Sequence, residues 1–262
     1  MNIIIRELKA NFKAFLIWGL SLVGIYFIAS IEFGAFAGDL AIAEAMERFE
    51  ALFTALGSAS SDMTTAEGFL SILSIYIYLP LAIYSGLLGS GIISKEEKDR
   101  TAEYLFTLPI SRKKVISYKL IVAIFYSVLI NIIVILGCYF AFSRFDPDPV
   151  FYTFLRNMSI GVLLTQLIFL SIGVALSSIL RQYKLSGSIT IALLISTFML
   201  NILIGFVDEL DFLKYFSPFN YFNSEKMLIT SFEFPFLLIT FVIVSLGIGS
   251  LLIYYPKRDL YI

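Results

Sequence analysis

The chain has 262 residues, 59% of them hydrophobic, with 26 Phe and 15 Tyr, more apolar than a water-soluble surface allows. A formal net charge of −1 supplies no general attraction to polyanions and argues against nucleic acid as a partner. There is no His, and the single Cys138 lies in an apolar run, which excludes Cys/His metal sites, an intrachain disulfide and His-based hydrolysis.

In chain order, the first segment, "MNIIIRELKANFKAF", places Ile4, Ile5, Leu8 and Phe12 on one helical face and Arg6, Lys9 and Lys13 on the other. That pattern predicts an amphipathic helix over residues 1–13, lying on a membrane surface; the plainer alternative is an extension of the span that follows. Small residues at Ala35–Ala37 resemble a cleavage site, but the preceding apolar run is too long for a signal peptide, so an uncleaved first span is expected.

Six stretches can cross a hydrocarbon core of about 30 Å, which takes roughly 20 apolar residues per helix. They are residues 14–33, 69–93, 115–142, 154–180, 185–207 and 235–255. No alternation with a period of two runs through them, which argues against a β-barrel. Backbone groups in lipid must satisfy one another, so the spans are predicted to be helices. The expectation is one all-α integral membrane domain over residues 1–262, with six transmembrane helices.

Lys and Arg set the orientation. With a cytoplasmic N-terminus, all but five of the 19 basic residues fall on the inner side. The exceptions are Arg48, Arg144, Arg156, Lys214 and Lys226. This positive-inside bias predicts that both termini are cytoplasmic. Residues 34–68 and 208–234 are then external. The first of these carries a helical stripe of Ile42, Met46, Phe49, Phe53 and Leu56 between Asp39 and Gly57. The second is crowded with aromatics suited to a membrane interface.

The most informative inner segment is "SKEEKDRTAEYLFTLPISRKK", residues 94–114. Glu96 and Arg100 are spaced four apart with the acid first, the favourable order for a helical ion pair. Thr101, Tyr104, Leu105 and Leu108 form an apolar stripe, Pro109 ends that helix, and Ser111 can cap the next. An ordinary positive-inside loop would explain the basic residues. It would not explain Glu96, Glu97, Asp99 and Glu103, nor an exposed apolar stripe that wants a partner surface or the lipid interface. On the residues alone, a docking helix for a cytosolic partner and a plain loop both remain open.

Within the spans, "GLLGSGIISK" at Gly86–Lys95 is Gly-rich but contains no G-x-x-x-x-G-K-S/T, so no ATP site is expected. Ala82, Gly86 and Ser90, and again Ser188, Ala192 and Ser196, have the four-residue spacing of close helix packing. Packing within the subunit is favoured slightly over a subunit interface for both. No Asp, Glu, Lys or Arg lies near the middle of a span, which weakens ion-channel and secondary-transporter readings. Asn131, Gln166 and Asn201 are the polar exceptions, suited to interhelical hydrogen bonds or to lining a path.

The stretch "EEKDRTAEYLFTLPISRKKVISYK" resembles the first cytoplasmic loop of ABC-2 type transporter permeases, type V exporter-like proteins. The matching features are Glu96–Arg100, Thr101, Leu105 with Leu108, Pro109–Arg112 and Lys119. "SPFNYF" at Ser217–Phe222 and "YYPKRDL" at Tyr254–Leu260 are similar to the family's segments before and after its last helix. Arg100 stands where many members carry Gly. The resemblance implies a membrane permease subunit of a bacterial exporter, in the inner membrane, paired with an identical or paralogous second permease. It also implies two copies of a separate P-loop ATPase, which would bind the ATP and Mg, so this chain carries no cofactor and no catalytic site. In that reading residues 94–114 hold a coupling helix. Glu96, Glu97, Arg100, Thr101, Glu103, Tyr104, Leu105, Leu108, Pro109 and Arg112 are then the expected ATPase-docking residues. The alternatives are a channel or secondary transporter that needs no ATPase, or a non-transporting scaffold.

Overall fold

A computed structural model describes residues 3–37, 41, 44, 48–49, 63–98, 111–180, 182–229 and 232–257 of the chain. Among these residues the architecture is all α, with six helices long and apolar enough to span a membrane. The first, α1 (Ile3–Phe36), is unbroken. At 1.5 Å per residue it is about 50 Å long, so the amphipathic start and the first span are one rod. Its start presents Ile3, Glu7 and Phe15 to the bundle, all buried, while Ile5 and Phe12 are half exposed. The expected outer helix at residues 39–57 lies outside the described residues apart from Ala41, Glu44, Arg48 and Phe49.

The second span, continuous in sequence, is two helices: α2 (Ala66–Leu73) and α3 (Ile75–Lys98). Thr65 caps α2 by accepting from the Gly68 N–H at 3.2 Å. The helical hydrogen-bond ladder is interrupted at Ser74. The Ile77 N–H bonds back to Ser74 O at 2.8 Å instead of reaching Leu73 O. The carbonyl released at Leu73 is taken by the Tyr26 hydroxyl from α1, at 3.1 Å. Pro80, lacking an N–H, removes a second helical bond six residues on.

The third and fourth spans are α4 (Arg112–Ser143) and α5 (Pro149–Ile179). Ser111 caps α4 through its side chain and Pro149 opens α5 at the first turn. Between them Asp146 adopts a left-handed φ of 49°, which a short polar side chain tolerates. The fifth span is α6 (Tyr183–Phe206) and the last is α9 (Phe234–Tyr254). A 3-10 helix (Asp208–Phe216) and two short helices, α7 (Pro218–Tyr221) and α8 (Ser224–Ile229), join these two.

Helix α5 is the hub, packed against α3, α9, α4 and α6, while α1 leans on α4. The α3–α5 seam is close because small residues face one another there. Gly86, Ala82 and Ser90 are all buried in it, and a Cβ added at Gly89 would collide with the Leu170 carbonyl. Gly247 of α9 meets α5 the same way, its Cβ falling 2.7 Å from the Ser171 carbonyl oxygen. The second small-residue stripe behaves differently. Ser188, Ala192 and Ser196 of α6 are all exposed, so they pack nothing inside this subunit.

Candidate functional site

The end of the bundle that carries the 94–114 loop is built from four segments: α3, α4, α1 and the residues beyond α9. Helix α3 extends to Lys98, well past the last apolar residue, held partly by the Ser94 hydroxyl, which donates to Ser90 O at 2.7 Å. Lys119 of α4 is only 1% exposed, and its Nζ donates to Ile92 O of α3 at 2.6 Å. Tyr126, two turns further along α4, donates its hydroxyl to Leu8 O of α1 at 2.6 Å. Arg112, at the foot of α4, reaches the Pro256 carbonyl beyond α9 at 3.4 Å. Glu7 is fully buried and pairs with the Arg6 guanidinium at 2.7 Å. Both ends of the loop, the N-terminal helix and the C-terminal segment are thus tied together by buried or half-buried polar contacts.

The expected docking residues divide across this root. Glu97 is buried at the end of α3, and Glu96 follows the same helix, although only its backbone is described. Arg100, Thr101, Glu103, Tyr104, Leu105, Leu108 and Pro109 lie outside the described residues. Arg112 bonds to the subunit's own Pro256 carbonyl. That contact joins two of the three motif-bearing segments, which are far apart in sequence.

Deeper in the bundle, polar groups are paired between spans. Ser85 of α3 and Ser127 of α4 share a hydrogen bond at 3.2 Å, and the Gln166 amide of α5 donates to Ser85 Oγ at 3.1 Å. Asn131 and Ser159 bond reciprocally across α4 and α5, at 2.9 and 3.1 Å. Each such contact contributes on average about 0.6 kcal/mol in a membrane. Asn131 and Gln166 are therefore interhelical ties; Asn201 belongs to another cluster. Among the described residues no group of His, Cys, Asp and Glu could hold a metal ion.

At the opposite end, the segment between α6 and α9 folds back into the bundle. Ser217 Oγ donates to Thr197 O at 2.9 Å, roughly two and a half turns inside the Phe206 end of α6. Phe219 then packs on Phe169 and Phe198, both with ring centroids 5.4 Å away. Ser224 bonds to Ser71 of α2 at 3.1 Å, and Asn157 of α5 donates to Met227 O at 3.2 Å. Tyr221 closes the turn through its hydroxyl on Tyr215 O and stacks on Phe236 at 4.8 Å. On the 3-10 helix Lys214 bonds Asp211 at 2.6 Å, and that carboxylate holds the lysine pKa above its ordinary value.

Several of these groups escape sequence reasoning. Tyr26, Ser85 and Ser127 sit in apolar runs where a hydroxyl carries no periodic signal. Glu7 reads as part of a charged terminus. Lys119 was legible as a residue matching the family's motif, but nothing in the sequence distinguishes a buried ammonium from a solvated one.

The arrangement defines a class: a polytopic helical membrane subunit with a firmly rooted loop at one end and a re-entrant segment at the other. The sequence profile described as ABC-2 family transporter protein matches residues 1–256, and the chain belongs to that family. It is thus a multi-pass membrane component of a transporter, itself non-catalytic. No significant match exists among curated proteins or solved structures.

Proposed function

We propose that this chain is the permease half of an ATP-driven exporter, coupled to a separate P-loop ATPase through residues 94–114. The observation that carries the reading is the rooting of that loop by Lys119 on Ile92 O and Arg112 on Pro256 O. A loop fixed to α3 and α4 transmits force to two of the three helices that hold the central hydroxyl–amide cluster. A loop without such ties would absorb the force. The ATPase supplies ATP and Mg chemistry; this chain supplies the path and the docking surface. Docking shifts the permease between inward- and outward-open states only if the two states bind the partner with different affinity.

Tyr104, Leu105 and Leu108 provide the apolar anchor, and Glu96, Arg100 and Glu103 set register, since an exposed ion pair contributes at most about 1 kcal/mol, while Glu97 is buried at the root of the loop. The exposed Ser188–Ala192–Ser196 stripe is the contact face for the second permease, identical or paralogous. The orientation that follows is both termini and the loop in the cytoplasm, with the re-entrant segment facing outward across the inner membrane.

Purification from native membranes in mild detergent, followed by mass spectrometry, tests this. A stoichiometric P-loop ATPase with two permease chains is the expected result. Intact permease without any ATPase, in several detergents, would favour a channel or scaffold.

A further inference from the structure

The junction between α2 and α3 borders a small cavity lined by Ser74, Ile75 and Tyr78 together with Phe198, Asn201, Phe219, Asn223 and Ser224. About 20 Å3 is open to the centre of a water-sized sphere, enough for one water molecule. Two of the lining side chains, Tyr78 and Asn201, are 6% and 5% exposed. Neither the Tyr78 hydroxyl nor the Asn201 side-chain oxygen has a hydrogen-bond partner. They come from different spans and carry complementary chemistry, one able to donate and the other only to accept. No charged side chain lines the cavity, so it suits neither an ion nor a charged headgroup.

We propose that this cavity is a binding site for a single water molecule, which accepts from the Tyr78 hydroxyl and donates to Asn201 Oδ1. Ordered water of this kind typically makes about three hydrogen bonds, and Ser74, Asn223 and Ser224 are further polar residues lining the same cavity. The location gives the site a mechanical meaning. Here α2, tied to the re-entrant segment through Ser71 and Ser224, meets α3, which leads to the docking loop. A water can exchange partners as these parts shift, where a direct side-chain bond would lock them.

X-ray radiolytic labelling of the detergent-solubilised full chain, read by mass spectrometry, tests the site, because buried water is cleaved to hydroxyl radical where it sits. Tyr78, at 6% exposure, is expected to be oxidised several-fold faster than Tyr84, which is 4% exposed and does not line the cavity, an excess too large for that small difference in exposure; the fully buried Tyr26 gives the baseline. Asn201→Leu should abolish that excess. Thermal midpoints of Tyr78→Phe, Asn201→Leu and the double variant provide a second readout. The double variant is expected to be no less stable than the weaker single variant, since both lose the same bridge. Labelling of Tyr78 at the rate of Tyr26, or strictly additive midpoint shifts, would overturn the proposal.

Discussion

The ammonium of Lys119 donates a 2.6 Å hydrogen bond to the carbonyl oxygen of Ile92, joining α4 to α3 just inside the 94–114 loop. With 1% of its surface exposed, this lysine is a structural tie. A hydrogen bond from a charged group contributes about 1.5–3 kcal/mol, and more is lost when buried partners are left behind. Lys119→Met is therefore expected to destabilise the subunit by about 2–3 kcal/mol. In vesicles with the partner ATPase, it should also lower transport more than ATP hydrolysis. Thermal unfolding in detergent and a paired transport–ATPase assay check both parts; equal losses of the two activities would remove the coupling role.

The α3–α5 seam allows a controlled comparison between two glycines on one helix. Gly89→Ala would drive a methyl into the Leu170 carbonyl, which is backbone and cannot turn away. Overpacking of this kind costs about 1–3 kcal/mol or more. Gly91→Ala meets nothing within 4 Å and should be within about 0.5 kcal/mol of the parent. Size-exclusion profiles after a heating series would separate the two variants. A stable Gly89→Ala protein would mean that the helices are further apart than described.

The exposed stripe on α6 predicts a subunit contact. With Cys138 fully buried, a cysteine placed at Ala192 is the accessible thiol. Ala192→Cys should form a disulfide-linked permease dimer under mild oxidation in membranes. Leu194→Cys, on the buried face of the same helix, should not. Crosslinking at neither position would place the second permease elsewhere.

Docking is addressed by charge insertion in the loop. Leu105→Asp combined with Leu108→Asp should abolish co-purification of the ATPase while leaving the permease monodisperse. Arg100→Ala alone should weaken binding by less than about tenfold, the scale of one exposed ion pair of about 1 kcal/mol. Intact ATPase binding by the double aspartate variant would show that the anchor lies outside this stripe.

Composition and hydropathy by themselves determined the all-α class and the six spans, because lipid imposes one solution on any long apolar run: the backbone must close its own hydrogen bonds. The motif-bearing segments likewise pointed to the family from residues alone. What only the tertiary structure decided is where small and polar side chains face. Ala82–Gly86–Ser90 and Ser188–Ala192–Ser196 have the same spacing, yet one stripe is buried against α5 and the other is exposed. Spacing places residues on one face of a helix, but the neighbours decide whether that face is covered. The break at Ser74 was equally silent in sequence. It depends on Tyr26, 47 residues away, accepting the role of hydrogen-bond donor that the helix gave up at Leu73. Lys119 completes the contrast: nothing in the sequence distinguishes a buried ammonium from a solvated one, and only the approach of α3 supplied the carbonyl that lets it be buried.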